Sequence, residues 1–294
     1  MVNTITSSNG KWSLDRISTE VFLQTSQLAI GDYTQALVPN ESELWQIHRH
    51  SVAENGPEIV ICDNFFNQPD LLRHLALKTA MEKSEKSYPG VVSTSIDSSL
   101  TASAILGLLA DSSLKLSSRS EFSSVRLNVS TEDLVLPHLD TNVSYVAYVF
   151  LNEPKDVDGG TAFYEKTNFG LRFIPPLPDD YCSGIMRKNN IDGYDEFVSF
   201  ICQLEGTSFS QAQSFVAETD RETACNAFLK TSGWEPFFVV PMVYNRLVIT
   251  PGNVFHRPMF SRNRFREYGG NPRLIWRTFV IRDEIVDHNA WKIL

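Results

Sequence analysis

The chain has few cysteines, no long apolar run and a deficit of basic charge, and each shortage excludes a class of protein. Cys62, Cys182, Cys202 and Cys225 are scattered, with no C-x-x-C pair. That spacing encodes neither a zinc ribbon nor a redox dithiol, and the four read as ordinary reduced thiols. No stretch reaches the ~18 consecutive apolar residues that a membrane-spanning helix requires. The start, MVNTITSSNGKWSLD, lacks the basic region and apolar segment of a secretory signal, so a soluble cytoplasmic location is the expectation. Lys and Arg number 26 against 35 Asp and Glu, a formal charge of -9. Such a field repels phosphate backbones and anionic bilayers, so neither nucleic acid nor membrane is an expected partner. No internal repeat or low-complexity tract is visible.

What is present is a core. With 42% hydrophobic and 21% charged residues the chain is not of disordered composition, and 294 residues allow two domains or one large β domain with elaborations. Residues 1–57 are polar, rich in Ser, Thr and Asn, and read as an extended or irregular N-terminal arm. Residues 58–294 follow as one domain. Glu58–Asp63 is a short apolar run fit for a buried strand, and a helix with an apolar stripe of Leu71, Leu72, Leu75, Leu77, Ala80 and Met81 begins at Pro69. From about residue 121 the texture turns to short strands, at 121–130, 134–138, 144–152 and 161–164. They resume at 236–240, 246–250, 253–256 and 273–281. Between them, 166–234 reads as a helical insertion, with helical stretches near 194–204, 208–217 and 219–231. Short strands split around one insertion predict a mainly β fold with flanking helices, a jelly roll or barrel.

The chemistry-bearing motif is His138-Leu-Asp140. In a strand, residues i and i+2 face one side, so an imidazole and a carboxylate can reach one ion. His256, after the turn Thr250-Pro-Gly252 and the apolar run Asn253-Val-Phe, supplies a third ligand. Two histidines and one carboxylate form the facial set that suits non-haem Fe(II) and leaves positions open for other ligands. His48 and His50 share the i, i+2 spacing but lie in the arm without a further partner. His74 on the helix and His288 in the polar tail read as structural or solvent-exposed.

These residues also carry a resemblance. His138-Leu-Asp140, then Ser144-Tyr-Val-Ala-Tyr-Val-Phe-Leu-Asn-Glu-Pro154, then Gly159-Gly-Thr-Ala-Phe-Tyr164 resemble the Fe(II)/2-oxoglutarate-dependent dioxygenases, especially the prolyl-4-hydroxylase-like branch. Arg246-Leu-Val-Ile-Thr-Pro-Gly-Asn-Val-Phe-His256 resembles that family's approach to its distal histidine. Residues 58–90, with Asp63-Asn-Phe-Phe, Pro69 and Tyr88-Pro-Gly90, look like the lead-in of a little-characterised bacterial group. The resemblance spans roughly 58–165 and 236–282.

It implies a double-stranded β-helix (jelly-roll, cupin-like) core with His138, Asp140 and His256 as iron ligands. Iron(II), 2-oxoglutarate and O2 are then the implied cofactor and co-substrates, with decarboxylation to succinate and CO2 coupled to oxidation of an unactivated C–H bond. A basic residue early in the last strand would hold the distal carboxylate of 2-oxoglutarate. Aligned by strand, that is Arg273, with Arg277 on the same face as second choice; a count of ten from His256 falls on Arg266 instead. Asn128, Tyr145 and Thr161 complete the expected co-substrate set. Tyr145 and Tyr148 lie on opposite faces of their strand, so one of them enters the barrel. Asp140 excludes the halogenase pattern, in which a small residue replaces the carboxylate, and favours hydroxylation or a related oxidation.

Seven arginines lie between 257 and 282: Arg257, Arg262, Arg264, Arg266, Arg273, Arg277 and Arg282. Their density points to a small anionic or zwitterionic substrate such as an amino acid. The same chemistry on a peptidyl or carrier-tethered residue, and a non-enzymatic β-barrel binding module, stand as alternatives. The insertion reads as a lid or as a surface for a homodimer.

Overall fold

In the computed structural model, residues 33, 35–83, 91–111, 113–125, 136–140, 143–156, 159–175, 180–193, 196–197, 199–201, 221–259 and 273–282 are described. Among them the strands are β1 (Gln46–Ser51), β2 (Glu58–Asp63), β3 (Met81–Lys83), β4 (Val91–Ser93), β5 (Ile96–Asp97), β6 (Leu114–Val125), β7 (Tyr145–Phe150), β8 (Gly160–Lys166), β9 (Trp234–Pro241), β10 (Leu247–Pro251), β11 (His256–Met259) and β12 (Arg273–Arg282). The helices are α1 (Pro69–Lys78), α2 (Ser99–Leu109), α3 (Asp180–Asn189) and α4 (Arg221–Thr231).

The strands form two antiparallel sheets. The larger runs β1-β2-β10-β7-β12-β6-β4-β3, with β5 beside β6, and the smaller runs β11-β8-β9. An isolated bridge between His138 and His256 adds the His138 segment to the outer side of β11. From β6 onward the chain winds between the sheets: β6 large, His138 small, β7 large, β8 and β9 small, β10 large, β11 small, β12 large. That winding makes the core a double-stranded β-helix, mainly β with helices packed outside.

Strand periodicity assigns the faces. On β7, Ala147, Val149 and the following Leu151 pack with Leu72, Leu75, Ile105 and Leu108 of α1 and α2, whereas Val146, Tyr148 and Phe150 pack with Phe163 and Val240 of the small sheet. Both faces are buried, which is why β7 reads YVAYVF without polar alternation. On β8, Phe163 faces the large sheet, while Ala162 and Tyr164 face a third cluster with Cys182, Ile185, Phe197 and Phe228. The described part of the insertion therefore packs as a helical layer on the outside of the small sheet.

Several elements differ from expectation. β2 occupies the residues predicted, but β1 lies within the expected arm, paired antiparallel with β2 from Gln46 opposite Asp63 to Ser51 opposite Glu58. The α1 helix has Pro69 in its first turn, Asp70 near its N-terminus and Lys78 at its C-terminal end, in accord with its dipole. It stops at Lys78, where Thr79 turns extended and bonds Leu75 O through both its N–H and its hydroxyl; Met81 then opens β3. The α2 helix was not anticipated; Asp97, one residue before its N-cap Ser98, accepts from Ser99 N at 2.9 Å and so satisfies one free N–H of the first turn. β11 starts at His256 instead of ending there. The stretch 208–217 lies outside the described residues. Among the described residues, no helix is long and apolar enough to cross a membrane.

Candidate metal centre

Backbone pairing brings the ligands together. His138 N donates to His256 O, and His256 N to His138 O, each at 3.0 Å. Residues paired this way sit directly opposite and project to one face. Their rings accordingly lie with centroids 4.7 Å apart. Asp140 is fixed two residues on: its N–H donates to Gly252 O at 2.8 Å, and Gly252 N donates to Ser144 O at 2.9 Å. This approach needs glycine, since a Cβ at Gly252 would stand 2.3 Å from Val143 O and 2.5 Å from Asp140 O. The sequence marks Gly252 as a turn residue; its contact with the Asp140 loop is visible only in three dimensions.

Both imidazoles are held in one tautomer. His138 Nδ1 lies 2.9 Å from Leu136 O, and His256 Nδ1 3.0 Å from Val254 O. A carbonyl only accepts, so each Nδ1 carries a proton, which leaves Nε2 as the atom that would bind a metal once any proton on it is displaced. His256 Nε2 stands 3.3 Å from Asp140 Oδ2. That is close to the spacing of two adjacent ligands on an ion with bonds of about 2.1 Å. The ligand atoms of His138, Asp140 and His256 all fall within 4.8 Å of one another, the one such group of three among the described residues. His256 is buried, and His138 and Asp140 are partly exposed.

The electrostatics favour a cation. Burial, then the neighbouring His256, lower the pKa of His138, so it is neutral near pH 7. Burial opposes the charge on Asp140, but the bond from His256, both imidazoles and the more distant Arg277 outweigh it and hold the carboxyl at about 2. Burial likewise opposes the charge on His256, and the Asp140 carboxylate overrides it, so its pKa is raised. Two nitrogens and an ionised carboxylate on one face form the donor set of a 2-His-1-carboxylate iron site, and these residues fit that ion.

The inner wall continues from this centre. Tyr148 Oη donates to Thr161 Oγ1 at 2.8 Å, and Arg273 Nη2 lies 3.5 Å from the same hydroxyl. Arg273 is buried, with its guanidinium 5.4 Å from the centroid of the Phe150 ring. Burial raises the pKa of Tyr148, so it remains a neutral phenol. Thr161 follows Gly160, where a Cβ would stand 2.1 Å from Val240 O, so the Gly-Gly turn serves the tight pairing of β8 with β9.

Of the expected co-substrate residues, Arg273 and Thr161 meet at this wall. Tyr145 does not: it packs against the helix-side cluster, on the face of Ala147 and Val149, and Tyr148 takes the inward place. Arg277 lies four residues beyond Arg273 on the inner face and is ion-paired to Glu121, Nε at 2.6 Å and Nη2 at 2.5 Å from Oε1. Glu121 escaped the sequence reading, because only the register of β12 with β6, which sets Arg277 opposite Glu121, reveals it. Asn128 and Arg262, Arg264 and Arg266 lie outside the described residues. His50 stacks flat on Phe238 with centroids 3.7 Å apart, and His74 is exposed on α1.

No curated protein matches the chain. Among solved structures, it is similar to the non-heme alpha-ketoglutarate-dependent epimerase SnoN from nogalamycin biosynthesis, with a TM-score of 0.36 and 10% identity over 88% of this chain and 83% of that one. It is also similar to the non-heme iron oxygenase OrfP, with a TM-score of 0.25 and 13% identity over 57% of this chain and 59% of that one. A second OrfP structure, in complex with Fe, succinate and (3S)-hydroxy-L-Arg, overlaps with a TM-score of 0.23 and 12% identity over 55% of this chain and 56% of that one. Residues 43–221 match the pattern described as a family of unknown function (DUF6445), which takes in His138 and Asp140 but ends before His256, and the chain belongs to that family.

Proposed function

We propose that this protein is an Fe(II)/2-oxoglutarate-dependent oxygenase that oxidises an unactivated C–H bond of a small, amino-acid-like molecule. The observation that carries this reading is the centre itself: His138, Asp140 and His256, with both Nδ1 atoms tied to carbonyls, inside the mouth of a double-stranded β-helix. The order of its motifs is that of the prolyl-4-hydroxylase-like branch, and we read the chain as an outlying member.

His138, Asp140 and His256 would hold the iron. When bound, iron with 2-oxoglutarate and O2 supplies the oxidising chemistry, and 2-oxoglutarate leaves as succinate and CO2. Arg273 is suited to hold the distal carboxylate of 2-oxoglutarate: a guanidinium in a wall of Phe150, Tyr148 and Thr161 is shielded from water, where a charge-assisted pair gains most. The Tyr148 and Thr161 hydroxyls would orient that carboxylate. Phe150, Phe163 and Val248 line the same interior and keep it dry.

Anaerobic addition of Fe(II) and 2-oxoglutarate should produce the weak visible charge-transfer band of the chelate, and His138→Ala and His256→Ala should abolish iron retention. Absence of the band, with metal content unchanged in both variants, overturns the reading.

A further inference from the structure

Two arginines share the inner face of β12, and their surroundings differ. Four residues of strand separate Arg273 from Arg277 by about 13 Å. The Asp140 loop is tied to the Arg277 end of that strand: Asp140 N donates to Gly252 O, Gly252 N to Ser144 O, and Ser144 N to Val280 O, three residues beyond Arg277. Around Arg273 are a phenol, a hydroxyl and an aromatic ring. Arg277 carries a carboxylate beside it. Both of its bonds to Glu121 converge on Oε1, and Oε2 takes part in neither. The two side chains are 18% and 23% exposed, so the pair is shielded but not sealed from solvent. Glu121, Arg277, Tyr148 and Val248 follow one another across four paired strands, forming one rung of the inner wall.

We infer that Glu121 and Arg277 form the recognition site for the head group of a free α-amino acid, Glu121 taking the ammonium and Arg277 the carboxylate. The inference rests on the iron and 2-oxoglutarate reading above. The two arginines are not equivalent for a dianion such as 2-oxoglutarate, because a carboxylate of the co-substrate placed at Arg277 would be repelled by Glu121. A zwitterion meets no such penalty: its opposite charges are about two bonds apart, and they face an acid and a base already in contact. Glu121 exchanges one cation for another, and Arg277 one carboxylate for another. A molecule lacking either charge breaks the ion pair without replacing it, leaving a half-buried charge unmatched. The rung runs on to Tyr148, whose hydroxyl meets Thr161 on the co-substrate wall, so a head group held here adjoins that wall and leaves the side chain to extend toward the metal ligands.

The test uses the full chain loaded anaerobically with Fe(II) and 2-oxoglutarate. The visible band is titrated with each free L-amino acid, and then with the N-acetyl derivative and the amide of any that shifts it. At least one free amino acid should perturb the band, with both derivatives weaker by about tenfold or more. Glu121→Gln, which keeps the side-chain volume, should erase the preference over the N-acetyl form, and Arg277→Met the preference over the amide. A loss confined to one derivative is not what misfolding produces. If the band forms in the unaltered protein but no free amino acid moves it, or both derivatives bind as tightly, the assignment of the pair falls alone. If the band never forms, the iron and 2-oxoglutarate reading falls and takes the assignment with it.

Discussion

His138 and His256 are a hydrogen-bonded antiparallel pair, each backbone N–H on the other's carbonyl oxygen at 3.0 Å. The candidate metal centre is therefore part of the small sheet's own ladder, and its geometry is held by backbone bonds, not by side-chain packing alone. Asp140 joins through a third backbone bond, to Gly252.

The pH dependence of metal binding follows from these environments. Asp140, held at about 2, is ionised across the working range, and His138, lowered first by burial and then by His256, is neutral there. His256 is raised: burial works against its charge and the Asp140 carboxylate prevails. A raised pKa means a proton is bound until the pH passes above it, and a metal ion must displace that proton. Affinity for Mn(II), a redox-stable stand-in, should rise as the pH is raised above the ordinary imidazole value of about 6.5, by up to tenfold per unit. Calorimetry in buffers of different ionisation heat should show one proton released. A flat profile without proton release would contradict this account.

Arg273→Met should weaken 2-oxoglutarate without displacing the metal. Loss of charge-assisted hydrogen bonds to a shielded carboxylate costs about 1.5–3 kcal/mol, or roughly 10- to 150-fold in Kd. Iron stoichiometry should remain that of the unaltered protein, since Arg273 is not a ligand, and Arg273→Lys should fall between the two. Titration of the charge-transfer band measures this; an unchanged Kd in the Met variant would move the anchor elsewhere.

Thiol chemistry gives an independent check on the core. Burial, reinforced by Asp63, pushes the Cys62 thiol up to about 12. It lies in β2 opposite Leu247 and packs in the helix-side cluster. Only the thiolate reacts appreciably with alkylating reagents, so Cys62 should be unmodified by iodoacetamide at about pH 8 in the native protein and labelled once the protein is unfolded. Peptide mapping after brief labelling distinguishes the two; rapid native labelling of Cys62 would show that β2 is not the buried strand described.

Much of this was legible because its signals are local. Glu58–Asp63 and Arg273–Ile281 stand out as apolar runs between turn residues, and His138-Leu-Asp140 shows two donors at strand spacing. The parts that were not legible depend on pairing. β1 is an outer strand whose Gln46, His48 and Arg49 face solvent, so no apolar period marks it. Tyr145 and Tyr148 cannot be ranked from a strand buried on both faces, since neither face carries polar residues to label it outside. The contrast between Arg273 and Arg277 needs the register that sets Arg277 opposite Glu121 on β6 and Tyr148 on β7.

Gly252 offers the sharpest test of how the centre is built, because it is not a ligand and its backbone is needed. In Gly252→Ala the new methyl would sit 2.3 Å from Val143 O and 2.5 Å from Asp140 O, both backbone atoms that cannot rotate away. The Asp140 loop must then move off the turn, stretching the 2.8 Å bond from Asp140 N to Gly252 O that sets the carboxylate beside His256. Over-packing of this kind costs about 1–3 kcal/mol. The variant should melt at lower temperature and bind iron at least tenfold more weakly, although all three ligands are retained. Gly170→Ala is the comparison, since a Cβ there meets nothing within 4 Å and its left-handed φ of +67° supplies backbone strain without the clash. It should lower the melting temperature and leave iron affinity intact. Equal iron affinity in Gly252→Ala and the unaltered protein would show that the Asp140 loop is held by something other than its contact with the Gly252 turn.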